Sequence, residues 1–469
     1  MVNYWLEVCS RSRNNPLGLV ALCVLLLFVA MALWAPFLAS SKPLCVVWDD
    51  QYYFPLFRYL FCTTFFTKKI DIFFNVFGML VLFQGIALLF NRGLQRVVSW
   101  FLYALALFIF IYFGFYHVSD PAISIEKNHE KQRALLMSKK APSWDFELQF
   151  MTPYAKLNLV VGELVKMAQA KSLTSALHTE TVPPYSLLGI DLANEKKQKE
   201  INPDVCRFIE ERRHWLEKEV KNVSFIFFPP VRPFHWEDDV GGSQSMNLRL
   251  SFWQASRLSR KDLIAALIFG SRISLLVGFL SCSLSLLIAL PLGLASGFYG
   301  GKRDICICRF VEVWESMPAF FMLLLIVTVL GTKSLLLIIA IIALFGWTGI
   351  FRFVRAEVLR QREFVYVEAC RSIGLADGQI LARHILPNAL VAVIALLPFD
   401  IMAAITREAA ISFLGLGEEI SCSWGVLMDE GRSAFPAESV LLWPPAFMLS
   451  LLLISIALLG DALQKAMDT

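Results

Sequence analysis

Between Glu368 and Leu390 the chain reads EACRSIGLADGQILARHILPNAL, which sets Glu368, Arg371, Asp377, Arg383 and His384 around two glycines between long apolar runs. Carboxylate, guanidinium and imidazole groups at such spacing can move protons, hold a metal or dock onto a complementary surface. His384 and the five other histidines are scattered without ligand spacing, so no metal site is expected. No nucleophile and base can be placed together, so no catalytic residue is assigned. A phosphate-cradling G-x-x-x-x-G-K-[ST] is missing, which excludes ATP hydrolysis by that route, and no cofactor is expected. Docking remains, and the local order favours it. The pattern predicts one short helix beginning near Glu357 and closing over Glu368 to Ile373, followed by Gly374 where helices often end with positive φ. Asp377 fits the N-cap of a second short helix, whose apolar face is Ile380, Leu381, His384 and Ile385 before Pro387. A merely connecting loop needs fewer residues and no such order.

The elements that must position this segment are membrane helices. With 57% hydrophobic and 17% charged residues and a mean hydropathy of +0.59, the chain lies outside the range of soluble domains and reads as an all-α polytopic membrane protein. Eight apolar runs are long enough to cross a bilayer, near 16–38, 72–91, 95–117, 271–296, 310–330, 334–350, 387–406 and 441–460. The break at LGTKSL, 330–335, suits a tight turn through Gly331 and Lys333. The net charge of +4 says little, and no nucleic-acid partner is expected.

The distribution of Lys and Arg sets orientation. Arg11 and Arg13, Arg92 and Arg96, Lys302, Arg303 and Arg309, and the group from Arg352 to Arg383 all fall on one side, which predicts cytoplasmic termini. Lys68 and Lys69 fall on the other side and count against it. The first run is an anchor or, with FLASS at 37–41, a signal peptide; Trp34 and Pro36 favour the anchor. Residues 118–262 form an extracytoplasmic polar region, in which NPDVCRFIEERRHWLEKEVKN predicts an amphipathic helix starting at Pro203. Cys45, Cys62, Cys206 and Cys422 fall outside, where disulfides are permitted but not implied.

Three ionisable residues near or within the runs need separate readings. Glu312 and Glu315 are read as pairing with Arg309 at the interface rather than as a proton relay. Asp400, two residues after Pro398, lies either on a kinked helix lining a pathway or at the outer interface of a tilted one.

Glu368, Ala369, Gly374, Ile380, Leu386 and Pro387 match the E-A-A-x-x-x-G motif, with its following I and L-P, of ATP-binding-cassette (ABC) importer permeases; Cys370 replaces the second Ala. GSRISLLVGF (270–279), GFYGGKRD (297–304), RFVEVWESMP (309–318), RHILPNAL (383–390), SFLGLG (412–417), SWGVLMDEGR (423–432) and LLGDALQKAMD (458–468) resemble, in order and spacing, the oligopeptide/dipeptide importer family. The N-terminal part is similar to the C-type permease subunit, in particular the Yej-like branch, through SSKPLCVVWDDQYYFPLF (40–57) and FIFFPPVRPF (225–234). Two departures stand out: the usual G-T-D-x-x-G-R-D signature survives only as ASRLSRKD (255–262), and residues 61 to about 220 look inserted.

The resemblance implies a type I ABC importer permease core over 263–469, with five membrane helices and a coupling loop at 357–387. Before it come 1–60, with the first membrane helix, an inserted helix pair at 61–117 and the extracytoplasmic region 118–262. It also implies a multi-pass inner-membrane protein with partners: cytoplasmic ABC ATPase subunits, a second homologous permease subunit, an extracytoplasmic peptide-binding protein and membrane lipid. The ATPase-coupling residues would be Glu368, Ala369, Cys370, Arg371, Gly374, Asp377, Ile380, His384 and Pro387. Ile373, Leu375 and Ile380 would fill the partner's groove, with Glu368 and Arg371 at its rim. Peptides are the implied substrate, although relatives carry nickel or antibiotic-like peptides. An ion-driven secondary transporter needs buried charge in several helices and finds only Asp400. A membrane-bound enzyme lacks its residues, and an anchored interaction protein leaves the ordered loop unexplained.

Overall fold

The computed structural model describes residues 15–40, 43–60, 69–87, 99, 102–105, 107–109, 112, 144–145, 148, 151–164, 203–231, 263–418, 422–433 and 442–468. The chain divides into two compact units, Met1–Ala32 with Ala266–Thr469, and Leu33–Ala265. Helix α1, Pro16–Leu33, opens the first. The Leu17 N–H donates to the Asn15 side chain at 3.2 Å, and Pro16 sits where a helix has no use for an N–H.

The second unit carries a small sheet. Strands β1 (Cys45–Trp48) and β2 (Gln51–Tyr53) form a hairpin. Its two loop residues, Asp49 and Asp50, have φ of 55° and 58°, the backbone that a two-residue hairpin turn requires. Helix α2, Lys69–Ala87, and helix α3, Pro203–Lys221, precede strand β3, Val223–Phe227, in the chain. The antiparallel order is β2-β1-β3, so the two segments at 40–57 and 225–234 meet in one sheet. Alternation puts Val46 and Trp48 on one face, where Leu157 and Val161 from a helix over 153–164 cover them. The Trp48 indole N–H donates to Glu219 of α3 at 3.1 Å. The sheet adds strand to a chain that is otherwise helical among the described residues. The apolar part of α2, Asp71–Gly85, is shorter than the span expected at 72–91. The run expected at 95–117 lies largely outside the described residues.

The rest of the first unit comprises α4 (Leu263–Tyr299), α5 (Gly301–Glu315), α6 (Ala319–Leu330), α7 (Leu335–Arg362), α8 (Val365–Ser372), α9 (Asp377–Ile380), α10 (Leu386–Ile394), α11 (Leu397–Ile411), α12 (Trp424–Ser433) and α13 (Trp443–Asp468). Among the described residues, α1, α4, α7 and α13 are each long and apolar enough to cross a membrane, and two bent pairs bring the number of spans to as many as 6. Two of the expected runs are bent, the second of them at the kink that Pro398 allowed in the sequence. The run at 310–330 is α5 and α6 meeting at 68°, because the residue before Pro318 resists helical backbone. The run at 387–406 bends by 55° between α10 and α11, where Pro398 has no N–H to offer the carbonyl of Ile394.

Close packing ties α4 to α7. A Cβ on Gly293 would lie 2.7 Å from Val354, and one on Gly297 2.8 Å from Val358, so only glycine lets the two helices approach this far. The cluster built there also takes in Val367, Ile380, Ile385 and Ala389, so it reaches from the membrane helices into the 363–387 segment. Arg272, 1% exposed inside α4, donates to the Ala32 carbonyl at 2.6 Å and spends its charge on the electronegative end of α1.

Candidate functional site

The segment after α7 is held at its base by a chain of side chains. The Tyr366 hydroxyl donates to Gln361 at 2.9 Å, and the Gln361 amide donates to the buried Glu357 at 2.8 Å. Glu357 thus belongs to the long α7, and the short helix expected to begin near it begins at Val365 instead. Phe364, with ψ of 144°, makes the break.

Helix α8 ends at Ser372, and the chain leaves it through Ile373 and Gly374, whose φ is +81°. Its N–H donates to the Arg371 carbonyl at 3.0 Å, and the Leu375 N–H to the Cys370 carbonyl at 3.1 Å. These two bonds close a left-handed helix end and satisfy carbonyls that α8 cannot use itself. The N-cap of α9 is Ala376, not Asp377; Asp377 occupies the first turn and caps nothing with its side chain. From Asp377 to Ile394 the chain runs as one rod through a π turn at Leu381–Ile385. Pro387 sits in the first turn of α10, and the His384 carbonyl accepts from the Asn388 side chain at 3.0 Å.

The surface divides sharply. Val367, Ile380 and Ile385 are 0% exposed and anchor the bend to the bundle. Ile380 therefore cannot fill a partner's groove, and Leu375 is half-buried against the same cluster; of the three expected, Ile373, 76% exposed, alone is free to do so. Val365, 79% exposed, joins it. Glu368 and Ala369 are exposed beside them, and Cys370 is half-buried. The Arg371 guanidinium lies 5.5 Å over the Phe298 ring of α4 and 3.9 Å from Asp377.

Next to this base, Asp304 accepts from Arg355 through both oxygens, at 2.6 and 2.7 Å. It lies before the apolar run that begins at 310. Arg309 pairs with Glu312 at 2.6 Å as expected, whereas Glu315 pairs with Arg352 of α7. No disulfide forms among the described residues; Cys62 and the Cys206 side chain lie outside them.

Three charged residues of α11 complete the picture. Asp400 is half-buried in its first turn, just past the bend, and Arg407 is half-buried seven residues on. Glu408 is 1% exposed and accepts from the Ser412 and Ser423 hydroxyls, each at 2.6 Å. Arg407 and Glu408 escaped the sequence reading because their charges ended the apolar run, although the helix continues to Ile411.

Residues 289–469 match the family described as binding-protein-dependent transport system inner membrane component, and residues 3–55 match the N-terminal membrane domain of oligopeptide transport permease C. The inner membrane ABC transporter permease protein YejE of Escherichia coli is 33% identical over 266 residues, which cover 54% of this chain and 75% of that one. The chain belongs to the binding-protein-dependent ABC permease family. The oligopeptide transport permease OppC of Haemophilus influenzae is 38% identical over 250 residues, covering 52% and 80%. The peptidoglycan transport permease YejE of Agrobacterium fabrum is 36% identical over 217 residues, covering 46% and 56%. As an ABC permease the chain is a multi-pass inner-membrane transport subunit of the oligopeptide type and is not itself catalytic.

Proposed function

We propose that this permease carries peptides into the cell, and that the 363–387 segment couples it to a cytoplasmic ABC ATPase. The observation that carries the reading is the bend at Gly374, where exposed Glu368, Ala369 and Ile373 are held on a turn anchored by Val367, Ile380 and Ile385. A rod rooted in the bundle and ending in an exposed apolar and acidic face transmits a push without losing its shape. Both termini are cytoplasmic in this reading, a second homologous permease subunit completes the pathway, and an extracytoplasmic binding protein delivers the substrate. The names of the relatives, which include oligopeptide, dipeptide and peptidoglycan permeases, support a peptide-bearing substrate. Residues 61 to about 220 are an addition to the core. Deleting 62–220, however, would strip Leu157, Val161 and Glu219 from the sheet, so a deletion that keeps assembly must spare 151–164 and α3.

Glu368→Lys tests the coupling. The variant should insert and accumulate normally, since an exposed substitution removes no packing, yet lose the co-purifying ATPase and substrate-stimulated hydrolysis. Full stimulation would remove the segment from the coupling role. Orientation is read by thiol labelling of intact cells: Val365→Cys should stay protected and Tyr52→Cys, at a site 72% exposed, should label.

A further inference from the structure

Asp400 and Arg407 lie on α11 where it packs against α4, a Cβ on Gly278 falling 2.8 Å from Ile401 and 2.9 Å from Ile405, and against α7. Both side chains are half-buried, Asp400 in the first turn of α11 and Arg407 seven residues on. A Cβ on Gly346 of α7 would sit 3.2 Å from the Arg407 Nη1 and 3.1 Å from the Ser285 hydroxyl of α4, so the missing side chain at 346 makes the room that the guanidinium occupies. Ser285 spends its hydrogen on the Ala343 carbonyl at 3.1 Å and offers Arg407 no negative charge. Among the described residues the side chains of Asp400 and Arg407 take part in no salt bridge or hydrogen bond; the backbone N–H of Asp400 donates to the Leu396 carbonyl at 3.3 Å. Two opposite charges half-buried in a membrane helix without a salt bridge are costly, and such groups face a pathway or a partner.

We propose that Asp400 and Arg407 form a two-ended site for a short zwitterionic peptide, Asp400 taking the terminal ammonium and Arg407 the terminal carboxylate. This rests on the peptide-importer reading above and adds the residues and the peptide length. Seven helical residues rise about 10 Å. An extended chain advances about 3.5 Å per residue, so three residues separate their terminal charges by about the same distance. A guanidinium fork suits a carboxylate, and one carboxylate suits one ammonium. A dipeptide is too short to reach both ends, and a long peptide places one terminus beyond the site.

The test uses the detergent-purified permease–ATPase complex without its binding protein, so that the binding protein's own selectivity does not enter. The readout is stabilisation against thermal unfolding by millimolar trialanine, N-acetyl-trialanine and trialanine amide, with uptake into liposomes by the whole importer measured in parallel. Asp400→Asn should weaken the two peptides that keep an ammonium about tenfold and leave the acetylated one unchanged. Arg407→Gln should weaken the two that keep a carboxylate and leave the amide unchanged. Asp400→Glu and Arg407→Lys should preserve the wild-type order, and either neutral variant decides the matter if the other fails to assemble. Equal losses for all three peptides, no loss, or no stabilisation of the wild type would overturn the site. If the wild type imports trialanine in that case, the peptide-importer reading survives; if it imports none, both fall.

Discussion

Two bends in this permease use the same backbone parts for opposite ends. One turns at Gly374 with φ of +81° and is followed by a π turn at Leu381–Ile385; the other turns at Gly415 with φ of +79° inside a π turn at Ser412–Leu416. Each lies a few residues after a glutamate. Glu368 is exposed, whereas Glu408 is 1% exposed and collects two serine hydroxyls. Around the first bend, a Cβ added at Gly374 or Gly378 meets nothing within 4 Å. Around the second, one at Gly417 would lie 2.5 Å from Ser412, and one at Gly425 2.6 Å. The backbone alone does not tell a docking turn from a structural one; what surrounds the glycines does. An open bend is free to meet a partner, and a filled one fixes the helices that carry it.

The sharpest way to break this contrast is to remove each carboxylate. Glu408→Leu should leave the Ser412 and Ser423 hydroxyls buried without an acceptor and cost about 3 kcal/mol or more, seen as loss of folded protein or a lower melting temperature in detergent. Glu368→Leu should change stability by no more than about 0.5 kcal/mol, because its carboxylate is exposed. Comparable losses in both would mean that the two bends are equally structural.

A smaller effect is expected when each bend gains a methyl group. Gly425→Ala pushes against Ser412 and the Ala409 carbonyl, at 2.6 and 2.7 Å, and should cost about 1–3 kcal/mol. Gly378→Ala, in a helical turn with open space around it, should be neutral or stabilising by about 0.5–1 kcal/mol. Melting curves of the two variants side by side are enough to check the contrast.

The exposed bend was legible in the sequence to a useful depth and the buried one was not. Gly374 stood after an apolar-periodic stretch, where a left-handed helix end needs glycine, and Pro398 marked the break in its helix. The start of α8 was misplaced because nothing between Glu357 and Phe364 is a helix breaker, so the long α7 and the short α8 read as one pattern. Asp377 read as a cap because its type favours one, but Ala376 already had the extended backbone that a cap requires. Ile380 read as apolar and periodic, yet periodicity does not say whether an apolar stripe faces its own bundle or a partner. Glu408 was hidden for a different reason: its two hydroxyl donors and the close-packed glycines are brought together by the fold, and a charge in sequence reads as the end of a run.

The smallest expected effect concerns what steadies the open bend. The Arg371 guanidinium faces both the Phe298 ring at 5.5 Å and the Asp377 carboxylate at 3.9 Å, and the two contacts predict different variants. The carboxylate and the guanidinium are each about half exposed, so water screens their attraction and Asp377→Asn should be close to silent. Phe298, 2% exposed at the end of α4, is fixed in the core cluster and gives Arg371 a rigid surface to lie on. Arg371→Met should therefore lose about 0.5–1 kcal/mol of local stability without moving the global melting temperature, and hydrogen exchange across 365–373 should quicken a few-fold. If Asp377→Asn quickens exchange as much as Arg371→Met does, the ion pair rather than the ring holds α8 in place, and the bend is tied to its own second half instead of to α4.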